Sequence, residues 1–493
     1  MYKMEEIKLK KIADLTYEIP KSGKMNVPGV IYASDNLIEN IKQDKTLEQV
    51  RNVSMLPGIL KASIAVPDAH MGYGFPIGGV AAFDMKSGVI SPGGVGYDIN
   101  CSVRLLRTNL TKKDIIANQK EVADQISRKI PSGVGKGSKF QITKNDLKKV
   151  LEQGVPYIVS KGYGVEEDFK HMEEEGCIKG GDASKVSERA VKRGLGQIGT
   201  LGAGNHFVDV HYVDEVFDSA TAKAFGLKKD QVTIMIHCGS RGLGHQVASD
   251  YIKAMEDKFG FKNLPGSDKS GLKSQKSVLP DRELINAPIS SQIGKDYFSA
   301  MACAANYAFV NKQIITHWIR EEMKRLYPNV KIDVVYDVCH NIAKFEEFTF
   351  NGKKQTVCVH RKGATRSFGP GRKEIPLAYR KVGQPVLIPG SMGTASYVLV
   401  GTKKSEELTW GSSVHGAGRV KSRHKAMKQM RGEEVKDMLK KQGIELRASG
   451  GWKSISQEGP YAYKDIEEVV KVVHDLGISK KVARLKPLVV CIG

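Results

Sequence analysis

The chain has 493 residues, of which 41% are hydrophobic and 26% charged, a balance that is ordinary for a globular protein. The formal net charge is +22, from 76 Lys and Arg against 54 Asp and Glu, and such a surplus attracts anions and favours a nucleic-acid partner. No stretch approaches about 18 consecutive apolar residues, and the N-terminus has no apolar run before a cleavage site, so the sequence predicts neither a membrane span nor a signal peptide.

The cysteines indicate the compartment. There are 7, an odd number, and no two of them form a CxxC pair. In a chain of this length that pattern favours free thiols over a disulfide framework. The sequence therefore predicts a cytoplasmic protein.

Strand-like and helical patterns mix along the chain without a regular alternation. In chain order the sequence predicts a strand over 63–66, a helix over 113–130, a strand over 232–236, a surface loop over 260–281, a helix over 296–326, strands over 331–336, 356–359, 386–388 and 397–400, and helices over 433–442 and 465–476. Because there is no βαβ rhythm, the pattern favours an α+β (mixed α/β) fold. Because there is no linker, it favours a single domain over 1–493.

Glycine falls in short polar clusters, several of them directly after a predicted strand. These clusters are PDAHMGYG, SPGGVGYDINC, GTLGAGNH, HCGSRGLGH, RKGATRSFGPG, PGSMGTAS and VHGAGR. Glycine allows sharp turns and lets backbone N–H groups approach an anion closely. We therefore expect one site that is built from the ends of many strands.

Five of the side chains in these clusters form a set that could bind metal. Asp98 and Cys101 lie three residues apart on a predicted turn, and three histidines stand in similar settings, namely His206, His237 and His340. A thiolate, a carboxylate and imidazoles together suit Zn²⁺, Mn²⁺ or Fe²⁺ better than Mg²⁺ or Ca²⁺. Taken singly, each histidine is more often a hydrogen-bonded structural residue, and Cys101 a buried apolar one.

Cations in the same glycine turns predict a phosphate site. Arginine offers two parallel N–H donors and lysine a point charge, and the candidates are Arg241, Lys362, Arg366, Arg419 and Arg423. His415 precedes small residues that leave room for a phosphate. It could attack phosphorus, act as a general base or bind a metal, and its surroundings in the sequence leave all three roles open. A Walker A motif and a GxGxxG fingerprint in a βαβ unit are absent from the sequence.

At these motifs the chain resembles the RtcB family of RNA ligases. The matching strings run in the family's order from about Asp68 to the C-terminus, and they are PDAHMGYGFPIGGV, GGVGYDINC, GTLGAGNHFVDV, HCGSRGLGHQV, YDVCHNIAK, VHRKGATR, PGSMGTASYVL and HGAGR. The resemblance implies one large domain with central β-sheets, flanking helices and a deep metal-containing cleft. It also implies a GTP- and Mn²⁺-dependent ligase. Such a ligase joins RNA 2′,3′-cyclic phosphate or 3′-phosphate ends to 5′-hydroxyl ends in tRNA splicing or RNA repair.

The resemblance also assigns expected roles to residues. It implies two Mn²⁺ ions on Asp98, Cys101, His206, His237 and His340, a guanylylated His415 and an assisting Asp68. The positions that match nucleotide contacts are Asn205, Phe207, Asp209, Ser391, Ser396, Ala417, Gly418 and Tyr463, and those that match RNA or phosphate contacts are Arg241, Lys362, Arg419 and Arg423. The expected partners are RNA, GTP and an archease-type activating protein.

Three positions depart from the family's pattern. Ile492 stands where the family usually has a lysine that contacts the guanine nucleotide, and Lys486 is near in sequence but is not aligned with it. Asp209 replaces a glutamate, and Ser102 replaces a common glycine. The first two changes bear on guanine recognition more than on the metal set.

Two other functions share most of these features. A metal-dependent RNA-end phosphohydrolase would need the same metal cluster and phosphate loops but would never seal RNA. A basic RNA-binding protein that keeps the fold would need neither metal nor His415. The complete metal set together with His415 favours an enzyme over the second of these.

Overall fold

Two sheets, of seven and eight strands, form the framework of the protein. The computed structural model describes residues 7–133, 135, 137–259 and 279–493. In those residues the strands are β1 (Lys10–Ala13), β2 (Thr16–Ile19), β3 (Gly29–Tyr32), β4 (Ile59–His70), β5 (Ile77–Asp84), β6 (Val89–Ile90), β7 (Ser102–Thr111), β8 (Phe207–Val216), β9 (Gln231–Cys238), β10 (Ala287–Pro288), β11 (Ile332–Cys339), β12 (Asn341–Phe350), β13 (Lys353–Lys362), β14 (Ala364–Arg366), β15 (Pro385–Ile388), β16 (Ser396–Gly401), β17 (Ser412–Val414), β18 (Glu445–Ala448) and β19 (Ser479–Ile492).

Helices pack around these sheets. They are α1 (Asp35–Lys42), α2 (Thr46–Val53), α3 (Pro92–Val95), α4 (Lys112–Lys129), α5 (Lys144–Ser160), α6 (Glu166–Lys170), α7 (Glu188–Leu195), α8 (Ser219–Phe225), α9 (Arg241–Phe259), α10 (Gln292–Leu326), α11 (Lys403–Thr409), α12 (Arg423–Gln429), α13 (Gly432–Lys441), α14 (Gly451–Gln457) and α15 (Ile466–Asp475). Within the described residues, no helix is both long and apolar enough to cross a bilayer.

The predicted helices and strands and the mixed α/β class are confirmed. The four predicted helices correspond to α4, α10, α13 and α15, and the six predicted strands fall on β4, β9, β11, β13, β15 and β16. Residues 260–278 of the predicted surface loop lie outside the described residues. The extent of the single domain, 1–493, stays a prediction.

The order of the strands brings particular chain ends to one edge. The eight-stranded sheet runs β11-β7-β9-β8-β19-β16-β15, with β18 beside β19, and the seven-stranded sheet runs β1-β2-β3-β4-β5-β13-β12. Neighbours from β11 to β19 are antiparallel, and Ser102 pairs with Cys238 and Phe207 with His237. The starts of β7 and β8 therefore lie at the same edge as the ends of β11, β9 and β19.

A single residue joins this edge to the other sheet. Cys339 ends β11 in the larger sheet, Asn341 begins β12 in the smaller one, and His340 lies between them. In the smaller sheet Asn341 pairs with Lys362, and His70 pairs with Ile77. The ends of β4 and β13 therefore meet the larger sheet near His340, and polar side chains from both sheets converge there.

Helix α10 supports this region from inside the protein. It runs for 35 residues, begins at the N-cap Ser291 and is buried along most of its length. Its buried amides bind loops that lead to the converging edge: Asn311 Oδ1 accepts from the backbone N–H of Gly199 at 2.7 Å. Because a buried polar group is costly unless it is hydrogen-bonded, these contacts fix the loops to the helix.

Candidate active site

Five polar side chains converge at the shared edge of the two sheets. Asp98 and Cys101 come from the turn before β7, His206 directly precedes β8, His237 lies near the end of β9, and His340 joins β11 to β12. Cys101 Sγ lies 3.4 Å from His206 Nε2 and 3.2 Å from His237 Nε2. His206 Nε2 lies 3.0 Å from Asp98 Oδ2, and His237 Nε2 lies 3.3 Å from His340 Nε2.

These side chains form two overlapping groups. One is Asp98, Cys101 and His206, the other Cys101, His237 and His340, and in each the ligand atoms all lie within 4.8 Å of one another. Cys101 belongs to both groups, so its sulfur lies between two potential ion positions. Thiolate, carboxylate and imidazole ligands fit Mn²⁺, Fe²⁺ or Zn²⁺ better than the hard cations Mg²⁺ and Ca²⁺.

The surroundings favour the metal-binding form of His237. Its Nδ1 donates to the carbonyl of Asn205 at 2.9 Å, which leaves the Nε2 lone pair free for an ion. Burial lowers the pKa of His237 to about 3, and burial also lowers that of His340, so both rings are neutral near pH 7. Burial and the Asp98 carboxylate raise the pKa of Cys101 to about 12, so its thiolate needs a bound cation.

His415 lies beside these groups and is held by Asp68. It follows β17, and its Nδ1 lies 2.6 Å from Oδ2 of the fully buried Asp68. The same oxygen accepts from the backbone N–H of His415 at 3.0 Å and of Gly416 at 3.3 Å. The ring centroid is 5.0 Å from that of His340, yet neither metal-binding group includes His415. This geometry favours Nδ1–H facing Asp68 and a free lone pair on Nε2.

A pocket opens next to His415. Its lining includes six of the eight predicted nucleotide contacts, namely Asn205, Phe207, Ser391, Ala417, Gly418 and Tyr463. Gly418 has φ +74°, and a Cβ at this position would lie 2.2 Å from the carbonyl oxygen of Asp68. The turn after His415 therefore requires glycine in order to close against β4.

The other two predicted nucleotide contacts are buried and do not line this pocket. Ser396 Oγ accepts from the backbone N–H of Gly390 at 3.0 Å and so supports the loop that carries Ser391. Asp209 lies two residues further along β8 than Phe207, paired with Val490 of β19. Burial raises the pKa of Asp209 well above its ordinary value, which favours a neutral carboxyl group.

The predicted phosphate-binding cations have different surroundings. Arg419 and Arg423 line the pocket, and each forms a 2.8 Å ion pair with Glu458. Arg241 begins α9 near the metal-binding groups, and its Nε donates to Thr200 at 3.2 Å. Lys362 is buried: its Nζ donates to the carbonyls of Tyr73 and Gly93, and burial lowers its pKa to about 7.

The prediction that Arg366 binds phosphate is wrong. Its side chain is 1% exposed and forms ion pairs with Glu174 at 2.8 Å and with Glu173 at 3.4 Å. The Gly-Ala-Thr-Arg string resembles a phosphate loop in sequence. However, its arginine lies on the short strand β14 and points into a buried ionic cluster with Lys344.

The residue near the C-terminus that departs from the family's pattern, Ile492, lies in the pocket itself. Ile492 ends β19 and lines the pocket with its apolar side chain. Lys486 lies six residues earlier on the same strand, where its Nζ is 3.3 Å from Asp214 Oδ2. Lys486 therefore does not replace the missing lysine.

Sequence reasoning missed three residues of this region. Glu458, 3% exposed, holds both arginines and accepts from the Tyr463 hydroxyl; an acid within QEGPYAY was the available signal. The His70 ring lies 6.5 Å from that of His415. Lys464 is buried, with Nζ bound to the carbonyls of Pro67 and Ala69 on either side of Asp68.

Comparison with known proteins agrees with this arrangement. A family model described as "tRNA-splicing ligase RtcB" matches residues 49–493. Proteins named tRNA-splicing ligase RtcB are similar over their whole length. The protein of Thermococcus kodakarensis is 52% identical over 99% of this chain and 100% of its own. The protein of Methanococcus maripaludis is 52% identical and that of Archaeoglobus fulgidus is 51% identical. Each of these two matches covers 98% of this chain and 99% of the other protein. The chain therefore belongs to the RtcB family and is an RNA ligase.

Proposed function

We propose that this RNA ligase depends on GTP and Mn²⁺. It joins RNA 2′,3′-cyclic phosphate or 3′-phosphate ends to 5′-hydroxyl ends, in tRNA splicing or RNA repair. The observation that carries the proposal is the position of His415, which is held by Asp68 between a metal-binding cluster and an open pocket. A nucleophile, potential metal ligands and room for a nucleotide thus occupy one place.

In the first step His415 acts as the nucleophile. Its Nδ1 faces the Asp68 carboxylate at 2.6 Å, so the Nε2 lone pair is the one that attacks the α-phosphorus of GTP. A P–N bond forms, the P–O bond to the leaving group breaks, and pyrophosphate departs with the electron pair. The imidazole gains positive charge as this happens, and the Asp68 carboxylate stabilises that charge.

The metal-binding residues would hold two Mn²⁺ ions, one on Asp98, Cys101 and His206 and the other on Cys101, His237 and His340. Bound there, the ions supply Lewis acidity, which withdraws charge from phosphate oxygens and makes the 5′-hydroxyl more acidic. His237 is oriented for this by its bond to the carbonyl of Asn205. Arg241, at the start of α9, would hold an RNA phosphate next to these side chains.

The pocket would hold the nucleotide. Phe207 and Tyr463 offer aromatic surface, and Ser391 offers a hydroxyl. Arg419 and Arg423 would move from Glu458 towards phosphate oxygens, because arginine pairs with phosphate through two parallel bonds. Asp209 and Ser396 are buried next to the pocket, and they would support the residues that contact the base, Phe207 and Ser391. Lys362 would hold the backbone near the site in place, because its Nζ donates to the carbonyls of Tyr73 and Gly93.

The remaining steps follow from the need for a leaving group. A phosphate monoester is a poor electrophile, so a 3′-phosphate oxygen attacks the phosphorus of the His415–GMP adduct and releases the imidazole. A cyclic end is first hydrolysed to the 3′-phosphate. The 5′-hydroxyl then attacks the activated RNA–ppG end, a new phosphodiester forms and GMP leaves.

The test uses labelled GTP and ATP with Mn²⁺ and a pair of RNAs that carry 3′-phosphate and 5′-hydroxyl ends. We expect a covalent GMP adduct, sealed RNA and neither product in His415→Ala. Sealing without an adduct would overturn the role of His415. Release of phosphate without sealing would favour the phosphohydrolase.

Two further predictions belong to this proposal. A cytoplasmic location is supported by seven free cysteines, which a reducing compartment keeps as thiols.

An archease-type activator stays a prediction. Omitting and adding such a protein in the sealing assay would test it.

A further inference from the structure

Three aromatic rings lie close in the chain to residues of the candidate active site and have no part in the steps above. Tyr73 is 66% exposed, and its ring meets that of Tyr97 edge to face, with the centroids 6.3 Å apart. Tyr97 in turn stacks on His245, with the centroids 4.9 Å apart and the planes 28° from parallel. The rings form a continuous row, and Tyr73 turns most of its surface to solvent.

Each ring is joined to a part of the candidate active site. Tyr97 directly precedes Asp98, and His245 lies one helical turn after Arg241 on α9. Tyr73 is three residues after His70, and its carbonyl accepts from Lys362. The Tyr97 hydroxyl is fixed by Glu283, at 3.2 and 3.3 Å from the two carboxylate oxygens. The row is therefore held in place beside the metal-binding side chains.

Positive charge lies next to the row. Helix α7 packs against α9, and the Arg193 guanidinium reaches across to Gln246 at 3.0 Å. Arg189 and Lys192 on α7 are exposed, and neither has a hydrogen bond or ion pair within the described part of the chain. Aromatic faces together with cations on the adjoining helix match a ligand that has both bases and phosphates.

We propose that Tyr73, Tyr97 and His245 form a stacking platform for an unpaired nucleobase at the RNA end that is being sealed. The strand's phosphates face the cations of α7. This inference rests on the proposed ligase function. It concerns a part of the RNA other than the reacting phosphate, namely a base near the end of the strand. Stacking needs only the π-face of a base, so binding at the platform is tolerant of sequence.

The first experiment removes the rings. Tyr73→Leu keeps apolar volume without a ring, Tyr73→Phe keeps the ring, and Tyr73→Leu with His245→Leu removes both ends of the row. Phe217→Leu is the matched control, because Phe217 is 40% exposed and follows the end of β8 that is remote from the site. The KM for RNA in sealing and the rate of GMP adduct formation without RNA are measured for each.

We expect KM to rise by about tenfold in Tyr73→Leu and further in the double variant, while Tyr73→Phe and Phe217→Leu resemble the parent. Adduct formation, which needs no RNA, reports the proposed function separately. If the parent protein forms no adduct, the ligase mechanism fails. If it forms an adduct and seals RNA but the double variant has an unchanged KM, the platform is overturned and the rings serve another partner, such as a protein.

The second experiment identifies the base. RNAs with an abasic nucleotide at the 3′-phosphate terminus or at the 5′-hydroxyl terminus are compared in the parent protein and in Tyr73→Leu. If the missing base stacks on the ring, the abasic RNA weakens binding to the parent by about tenfold but has little further effect in the variant. The strand that shows this coupling is the one held. Additive losses for both strands would overturn the proposal.

Discussion

At the scale of single residues, Asp68 and His415 show how a buried carboxylate can prepare an imidazole for reaction. Asp68 is fully buried, and one of its oxygens faces His415 Nδ1 and accepts two backbone N–H groups. The buried Lys464 ammonium lies between the carbonyls on either side of Asp68. The backbone donors fix the carboxylate directly, and the Lys464 contacts fix the chain on either side of it, so the carboxylate can orient the ring.

We predict that Asp68→Asn slows adduct formation by roughly 10³- to 10⁴-fold. An amide accepts from the backbone N–H groups but does not stabilise the imidazolium, and it permits the wrong tautomer of His415. The measurement is the rate of labelling by GTP at saturating Mn²⁺. Thermal unfolding serves as the control for folding, and an unchanged labelling rate would contradict the assigned role.

A second prediction at this scale concerns Cys101, because its sulfur belongs to both metal-binding groups. We predict that Cys101→Ser lowers the bound Mn²⁺ at both positions rather than at one. By contrast, His340→Ala lowers it mainly at the position shared with His237. Metal content per chain after dialysis against Mn²⁺ tests this by mass spectrometry. Cys177→Ser, at a half-buried thiol outside both groups, is the matched control. Loss of a single ion in Cys101→Ser would contradict a shared ligand.

At the scale of elements, a buried ionic network ties α10 to the strands that carry the site. Arg104 of β7 and Asp337 of β11 form a 2.8 Å ion pair, and neither side chain is exposed. Arg104 also donates to Gln313 of α10 at 2.7 Å. β7 follows Cys101 and β11 precedes His340, so the pair holds two ligand-bearing strands at a fixed separation. The contact therefore links stability to the geometry of the metal-binding side chains.

We predict that Asp337→Ala lowers the free energy of unfolding by about 3–5 kcal/mol, since it leaves the Arg104 charge buried without its partner. Asp333→Ala on the same strand is the matched control. Its carboxylate is 63% exposed and lies 3.6 Å from Arg107, so we expect a loss below about 1 kcal/mol. Urea unfolding of both variants measures the difference. Equal losses would contradict the importance of burial.

At the scale of the whole molecule, the net charge of +22 acts over a larger distance than any contact. Many of the acidic groups in the interior already have a cationic partner, as Glu346 has in Arg361 at 2.7 Å. The surplus positive charge therefore lies mainly at the surface, where it can attract a polyanion. RNA, with one charge per nucleotide, gains far more from this than a single GTP does.

We predict that RNA affinity falls steeply as salt rises, whereas adduct formation with GTP alone changes much less. Each phosphate that is neutralised on a single strand adds about −0.7 to the slope of log affinity against log salt. Fluorescence anisotropy of a labelled RNA over a salt series measures the slope, and GTP labelling in the same series is the control. Parallel salt dependences would show that RNA is not bound through its backbone.

Much of the site could be identified from the sequence. Asp98, Cys101, His237 and His340 stand at the ends of strand-like runs or in glycine turns, where side chains emerge from a sheet. Such patterns depend on local periodicity and turn chemistry, which a sequence carries explicitly. The four predicted helices and six predicted strands were found for the same reason.

Which of these residues meet was decided only by the tertiary structure. The antiparallel order β11-β7-β9-β8 brings Cys101 into both metal-binding groups. Packing also buries Arg366 among carboxylates, places Ile492 in the pocket and aligns Tyr73 with Tyr97. Contacts between residues far apart in the chain depend on how strands pair and sheets meet, and local propensity does not encode that pairing. The sequence by itself therefore determined which chemical groups are present and on which kinds of element they lie. Their distances and partners came from the fold.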